Sequence, residues 1–199
     1  MEKTRIAVLV SGGGTNLQAL IDAQTRGEIT SGEIVLVVSN KADAYALTRA
    51  ANAGIASETV IKTCGQEQFE TDLIGVLEKN GIELIILAGF MSILSERFTS
   101  RFADRIINIH PSLIPSFCGE GFYGLRVHRA ALDYGVKVTG ATVHFVNEIP
   151  DGGRIILQKA VDILPGDTAE VLQRRVMEQA EWKLLPAAAE MVAAELITH

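Results

Sequence analysis

Asn108-Ile109-His110-Pro111-Ser112 places an amide and an imidazole two residues apart at the end of an apolar run, Arg105-Ile106-Ile107. Side chains two apart on a strand share a face, so Asn108 and His110 stand side by side. Pro111 biases His110 toward extended backbone and ends the strand. A donor beside a group that titrates near neutrality suits an oxyanion formed during acyl transfer. The competing reading is a polar strand end with a satisfied histidine. Asp151-Gly152-Gly153 offers a carboxylate that could orient His110 and stabilise its charged form, although a turn aspartate is the simpler explanation. His144, between Val143 and Phe145, is either a supporting contact or a plain strand histidine.

A second candidate is Ser11-Gly12-Gly13-Gly14-Thr15-Asn16, a glycine-rich turn between an apolar run and a helical pattern. Free N–H groups and the dipole at a helix start favour a phosphate there. A plain tight turn is the alternative. Leu17 stands where a dinucleotide fingerprint needs its last glycine, and Gly-Lys-Ser/Thr is missing, so a small monophosphate is the expected ligand. The apolar segment Phe90, Met91, Ile93, Leu94 could wall a flat heterocycle or simply pack a helix start. The spacing of His110, His128 and His144 fits no common metal site, and no metal is expected. Ser112 and Cys118 follow the histidine, but neither sits on a nucleophile elbow.

These groups need a scaffold, and the sequence describes one. Ile6–Val10, Ile34–Val38, 57–61, Leu84–Ala88 and Arg105–Ile109 read as strands, mostly of the continuous apolar kind buried on both faces. Helical patterns over 17–21, 42–53, 66–79 and 94–102 alternate with them. The alternation implies an α/β, Rossmann-like, doubly wound and mostly parallel sheet. Ligands then gather at the carboxyl ends of the strands. Beyond residue 111 the pattern changes to a loop, 112–126, a helix, 127–134, and two strands, 138–147 and 154–161, expected to be antiparallel because their connection is short. Asp167-Thr168-Ala169-Glu170 resembles a capping box opening a long helix that Pro186 interrupts.

The 199 residues suit one domain. A net charge of −6 without a long basic run disfavours nucleic acid. No apolar run is long enough for a membrane span, and the start, Met1 to Ile6, goes straight into a strand without signal-peptide shape. Cys64 and Cys118 are expected as free thiols in a reducing, cytoplasmic setting.

Taken together, Ser11–Ala19, Ser39–Ala44, Leu87–Met91, Asn108–Pro115, Thr142–Val146, Asp151–Gly153 and Ile155–Gln158 resemble the folate-dependent phosphoribosylglycinamide formyltransferase family, in family order over nearly the whole chain. The resemblance implies formyl transfer from 10-formyltetrahydrofolate to the amine of glycinamide ribonucleotide in purine biosynthesis. It implies Asn108, His110 and Asp151 as the catalytic trio, with His144 in support. Gly14, Thr15, Asn16 and Glu181 correspond to nucleotide contacts, and Met91, Ser92, Ile93, Leu94 and Asn147 to folate contacts. One domain, 1–199, divides into a nucleotide half, 1–110, and a folate-and-lid half, 111–199. Small-molecule substrates are the expected partners, with a homodimer as the allowed assembly. Three features depart from the family pattern: Gln66 and Ser92 stand where arginines are found, and the 116–127 loop is longer. A formyltetrahydrofolate hydrolase and a non-catalytic nucleotide-binding module are the alternative functions.

Overall fold

A computed structural model describes residues 3–198. Met1 and Glu2, read above as part of the chain's start, lie outside the described residues, as does His199. Seven strands form one sheet in the order β3-β2-β1-β4-β5-β6-β7. They are β1 (Thr4–Val10), β2 (Gly32–Ser39), β3 (Ala56–Thr59), β4 (Leu84–Leu87), β5 (Ile106–His110), β6 (Val138–Phe145) and β7 (Ile155–Asp162). The first five are parallel. The expected antiparallel pair of β6 and β7 is present, and β6 also runs antiparallel to β5.

The apolar runs explain the layering. Val8, Val10, Ile86 and Ile107 face one core, together with Leu17 and Leu20 of α1 (Thr15–Thr25), Ala46 of α2 (Tyr45–Asn52) and the C-terminal helices. Ala7, Leu9, Ile85 and Ile106 face the other, against Phe69, Leu73 and Leu77 of α3 (Gln66–Lys79) and Phe98 of α4 (Glu96–Arg101). Alternate residues of one strand thus feed opposite cores, as a sheet buried on both faces requires. Every residue of β6 from Thr139 to Phe145 is buried, since the strand is central in the sheet and the C-terminal helices pack on it.

Two expectations about the C-terminal helices are corrected. The cap of α6 (Ala169–Val176) is Thr168, whose hydroxyl accepts from Val171 N–H at 3.3 Å. Glu170 is one position too early for the reciprocal leg of a capping box, and Asp167 instead pairs with Arg175. Nor does Pro186 break the helix. It lies inside α7 (Trp182–Ile197), and the interruption is a π-turn at Met177–Glu181 immediately before that helix. The proline sits in the second turn of α7, and the bond its missing N–H would make falls four residues back at Trp182, the residue that follows the π-turn. Removing the α6 cap with Thr168→Ala should cost about 1 kcal/mol, lowering Tm by roughly 2–4 °C in a calorimetric melt, with turnover unchanged.

Among the described residues, no helix is long and apolar enough to cross a membrane. Cys64 and Cys118 are both free, as expected.

Candidate active site

Strand order reverses at β1, so the loops after β1 and β4 flank a crevice at the carboxyl edge of the sheet. The Ser11 hydroxyl accepts from Met91 N–H at 2.7 Å and ties the two loops together. Gly14 caps α1 in the left-handed region with φ 71°. A β-carbon there would sit 2.7 Å from that of Ala46, so only glycine fits. No side chain caps this helix, which leaves its first N–H groups to a ligand. Thr15 and Asn16 line a cavity of about 740 Å³, whereas Gly14 is not among its lining residues.

The same cavity holds Asn108, His110 and Asp151. Asn108 and His144 are directly opposed across the β5–β6 ladder. That register brings Asn108 Nδ2 within 3.2 Å of His144 Nε2. The His144 Nδ1 lies 2.7 Å from the Phe145 carbonyl. A carbonyl only accepts, so Nδ1 carries a proton there, and the Asn108 amide and the Asp151 carboxylate both meet the ring on its Nε2 side. Asp151 reaches both histidines: its Oδ2 is 3.4 Å from His110 Nδ1 and its Oδ1 is 3.5 Å from His144 Nε2. The structure therefore brings the expected trio together and places His144 at its centre. The strand histidine touches both Asn108 and Asp151.

The 112–126 loop closes on this cluster through main-chain atoms. The His110 Nε2–H donates to the Phe117 carbonyl at 2.9 Å, and Gly119 N–H donates to Asp151 Oδ2 at 2.8 Å. Phe117 and Asp151 both have left-handed backbones, φ 49° and 56°. That is costly for a phenylalanine and easier for an aspartate. Thr142 holds the start of the loop, donating to the Ser112 carbonyl at 2.7 Å and accepting from Ile114 N–H.

Burial pushes the His110 ring below the usual imidazole range, although Asp151 and the Phe117 carbonyl oppose the shift. Desolvation of a nearly buried ring outweighs the pull of the Asp151 carboxylate 3.4 Å from Nδ1 in setting that direction. For Asp151 the balance is opposite. Burial pushes its carboxyl up, but the His144 ring, the His110 charge and the Gly119 N–H hold it below the usual carboxylate range.

Glu181, at the end of the π-turn, accepts from Asn16 Nδ2 at 2.7 Å. Burial pushes its carboxyl up to about 7, against the pull of Asn16. A folded pKa above the ordinary 4.5 means that stability present below that value is lost as pH rises through about 7. Between about pH 5.5 and about pH 8.5 the wild type should lose about 2 kcal/mol that Glu181→Gln keeps, measurable as diverging urea midpoints. Coincident pH dependences of the two proteins would refute this.

A narrower slot of about 130 Å³ shares Asn108 and Asp151 with the large cavity, adds His144, and is walled by Phe90, Ser92, Ile93, Leu94, Asn147 and Ile149. The expected folate contacts Ser92, Ile93, Leu94 and Asn147 all lie on it, while Met91 lines the larger cavity. The two departing positions make internal bonds. Asn40 donates to the Ser92 hydroxyl at 2.9 Å, and Gln66 donates to the Ile93 carbonyl at 2.9 Å, so both anchor the segment that walls the slot.

Sequence reading missed the Phe117 carbonyl and Gly119 N–H, since main-chain groups leave no residue-type signal. It also missed Gln173 and Met177, which line the large cavity from the C-terminal helices. Ser112 is spent on the Ser116 carbonyl. The Cys118 thiol is pushed up by burial and then by Asp151, which leaves neither residue an activated nucleophile.

Residues 4–189 match the formyl transferase family. The chain is 46% identical to phosphoribosylglycinamide formyltransferase of Haemophilus influenzae, over 92% of this chain and 84% of that protein. It is 48% identical to the trifunctional purine biosynthetic protein adenosine-3 of Gallus gallus over 96% of this chain, and spans only 18% of that longer relative. Among solved structures, glycinamide ribonucleotide transformylase 1 of Symbiobacterium toebii superposes with a TM-score of 0.90 at 42% identity, covering 97% of this chain and 89% of that one.

Proposed function

The chain belongs to the formyl transferase family, and on that premise we propose that it transfers the formyl group of 10-formyltetrahydrofolate to the amine of N1-(5-phosphoribosyl)glycinamide. One observation carries the reading: Asn108 and Asp151 stand where a cavity that begins at a free helix N-terminus meets an apolar slot, with His110 beside them on the cavity side. The phosphate is received by the first turn of α1 at Gly14, Thr15 and Asn16, with Glu181 behind Asn16. The slot between Met91–Leu94 and Asn147–Asp151 takes the folate heterocycle. The nucleotide half, 1–110, and the folate-and-lid half, 111–199, act as one domain, since Glu181 crosses between them.

In the reaction the amine nitrogen bonds to the formyl carbon, whose oxygen becomes an oxyanion. The Asn108 amide and the His110 Nε2–H donate to that oxyanion. Asp151 accepts the proton lost by the attacking amine, directly or through water, and that proton passes to the folate nitrogen as the C–N bond to it breaks and the carbonyl re-forms. For His110 to serve, the Phe117 carbonyl must release Nε2–H, so the loop moves as the substrates close the site.

The test is incubation with 10-formyltetrahydrofolate, with and without the nucleotide. Formylated nucleotide formed only in its presence is the expected result. Formate released without it identifies a hydrolase instead, and nucleotide binding without either product identifies a non-catalytic module.

A further inference from the structure

Two side chains of the large cavity carry buried polar atoms with no hydrogen-bond partner among the described residues: Asn16 at Oδ1, and His128 at both ring nitrogens. His128 lies on α5 (Leu125–Tyr134), is fully buried, and lines the same cavity as Asn16, His110, Asp151 and Glu181. A leucine at this position would fill the space without stranding a donor and an acceptor. Orphaned buried polar groups of this kind mark places where another molecule completes the hydrogen bonding.

The chemistry of that molecule follows from the ring. Burial, with a smaller effect from His110, pushes His128 down to about 4, so it is neutral at neutral pH. A neutral imidazole presents one donor and one acceptor. Phosphate and carboxylate oxygens only accept and would leave half of the ring unsatisfied. A hydroxyl can donate to the unprotonated ring nitrogen, which those oxygens cannot. The Asn16 Oδ1 adds a second acceptor for a hydroxyl proton. Three glycines that line the cavity beside His128 (Gly119, Gly121 and Gly124) have positive φ, which gives the segment the freedom to admit a ligand to a ring now closed from solvent.

We propose that His128, with Asn16 Oδ1, is a specificity-determining contact for a hydroxyl of the substrate's sugar, between the phosphate-binding turn and the reacting trio. The inference rests on the nucleotide substrate proposed above. The test is therefore a binding measurement without folate or turnover. Calorimetric titration of the wild type with N1-(5-phosphoribosyl)glycinamide and with its 2′-deoxy and 3′-deoxy analogues should show one analogue binding roughly tenfold to a hundredfold more weakly than the parent. In His128→Phe the parent should weaken by a similar factor and the discrimination should vanish. His128→Gln, whose amide keeps a donor and an acceptor, should retain part of it. Equal binding of all three ligands to the wild type overturns the inference without any variant. So does discrimination that survives intact in His128→Phe, the outcome expected if the ring is satisfied by an internal water. Failure of the wild type to bind the parent nucleotide overturns the functional reading itself.

Discussion

His110→Ala should lower kcat by about 10²–10³ while leaving nucleotide affinity close to that of the wild type. The ring supplies the Nε2–H that the Phe117 carbonyl holds until the loop releases it, and its other nitrogen faces Asp151 at 3.4 Å. Alanine removes a donor needed only when charge develops on the formyl oxygen, so kcat and kcat/KM for the nucleotide should fall together. The loss is chemical rather than structural. The Thr142 bonds that fix the start of the loop do not involve the ring, and β5 keeps its pairing with β6. Steady-state kinetics with a melting curve separate the two effects. Turnover within a few-fold of the wild type would remove His110 from the chemistry.

Asp151→Asn should produce a loss of similar size, about 10²–10³, through a different step. Asparagine keeps the shape, tolerates the left-handed backbone at φ 56°, and can still accept from Gly119 N–H. What disappears is the negative charge that faces both histidines and the capacity to take a proton. Because the Asp151 carboxyl sits below the usual carboxylate range, it stays ionised through mildly acidic pH. The wild-type rate should therefore hold to lower pH than an ordinary carboxylate allows. The residual rate of Asp151→Asn should lack that acid limb. An unchanged kcat, or an unchanged acid limb, would show that the charge is not used.

Much of the scaffold could be read from residue order because parallel strands buried on both faces are written as unbroken apolar runs, such as Ile6–Val10 and Leu84–Leu87. Asn108 and His110 were legible for a related reason: a two-residue spacing on a strand fixes a shared face. The π-turn before α7 was not legible, because a proline marks a disturbance in a helix without saying on which side it falls. The downward push on His110 comes from burial contributed by distant segments, and no spacing encodes that. Nor does the sequence announce that His128 is stranded, since a helix histidine becomes an orphan only when tertiary packing encloses it. The hold of the Phe117 carbonyl on His110 belongs to the backbone alone.

The central claim is direct transfer between two bound substrates on the Asn108–His110–Asp151 wall. A single turnover with enzyme in excess tests it most directly, using 10-formyltetrahydrofolate labelled in the formyl group together with N1-(5-phosphoribosyl)glycinamide. The expected result is that label leaves the folate and appears on the nucleotide amine in one phase, with none on the protein and none as formate. Label trapped on the protein, or released as formate at the same rate without the nucleotide, would contradict it.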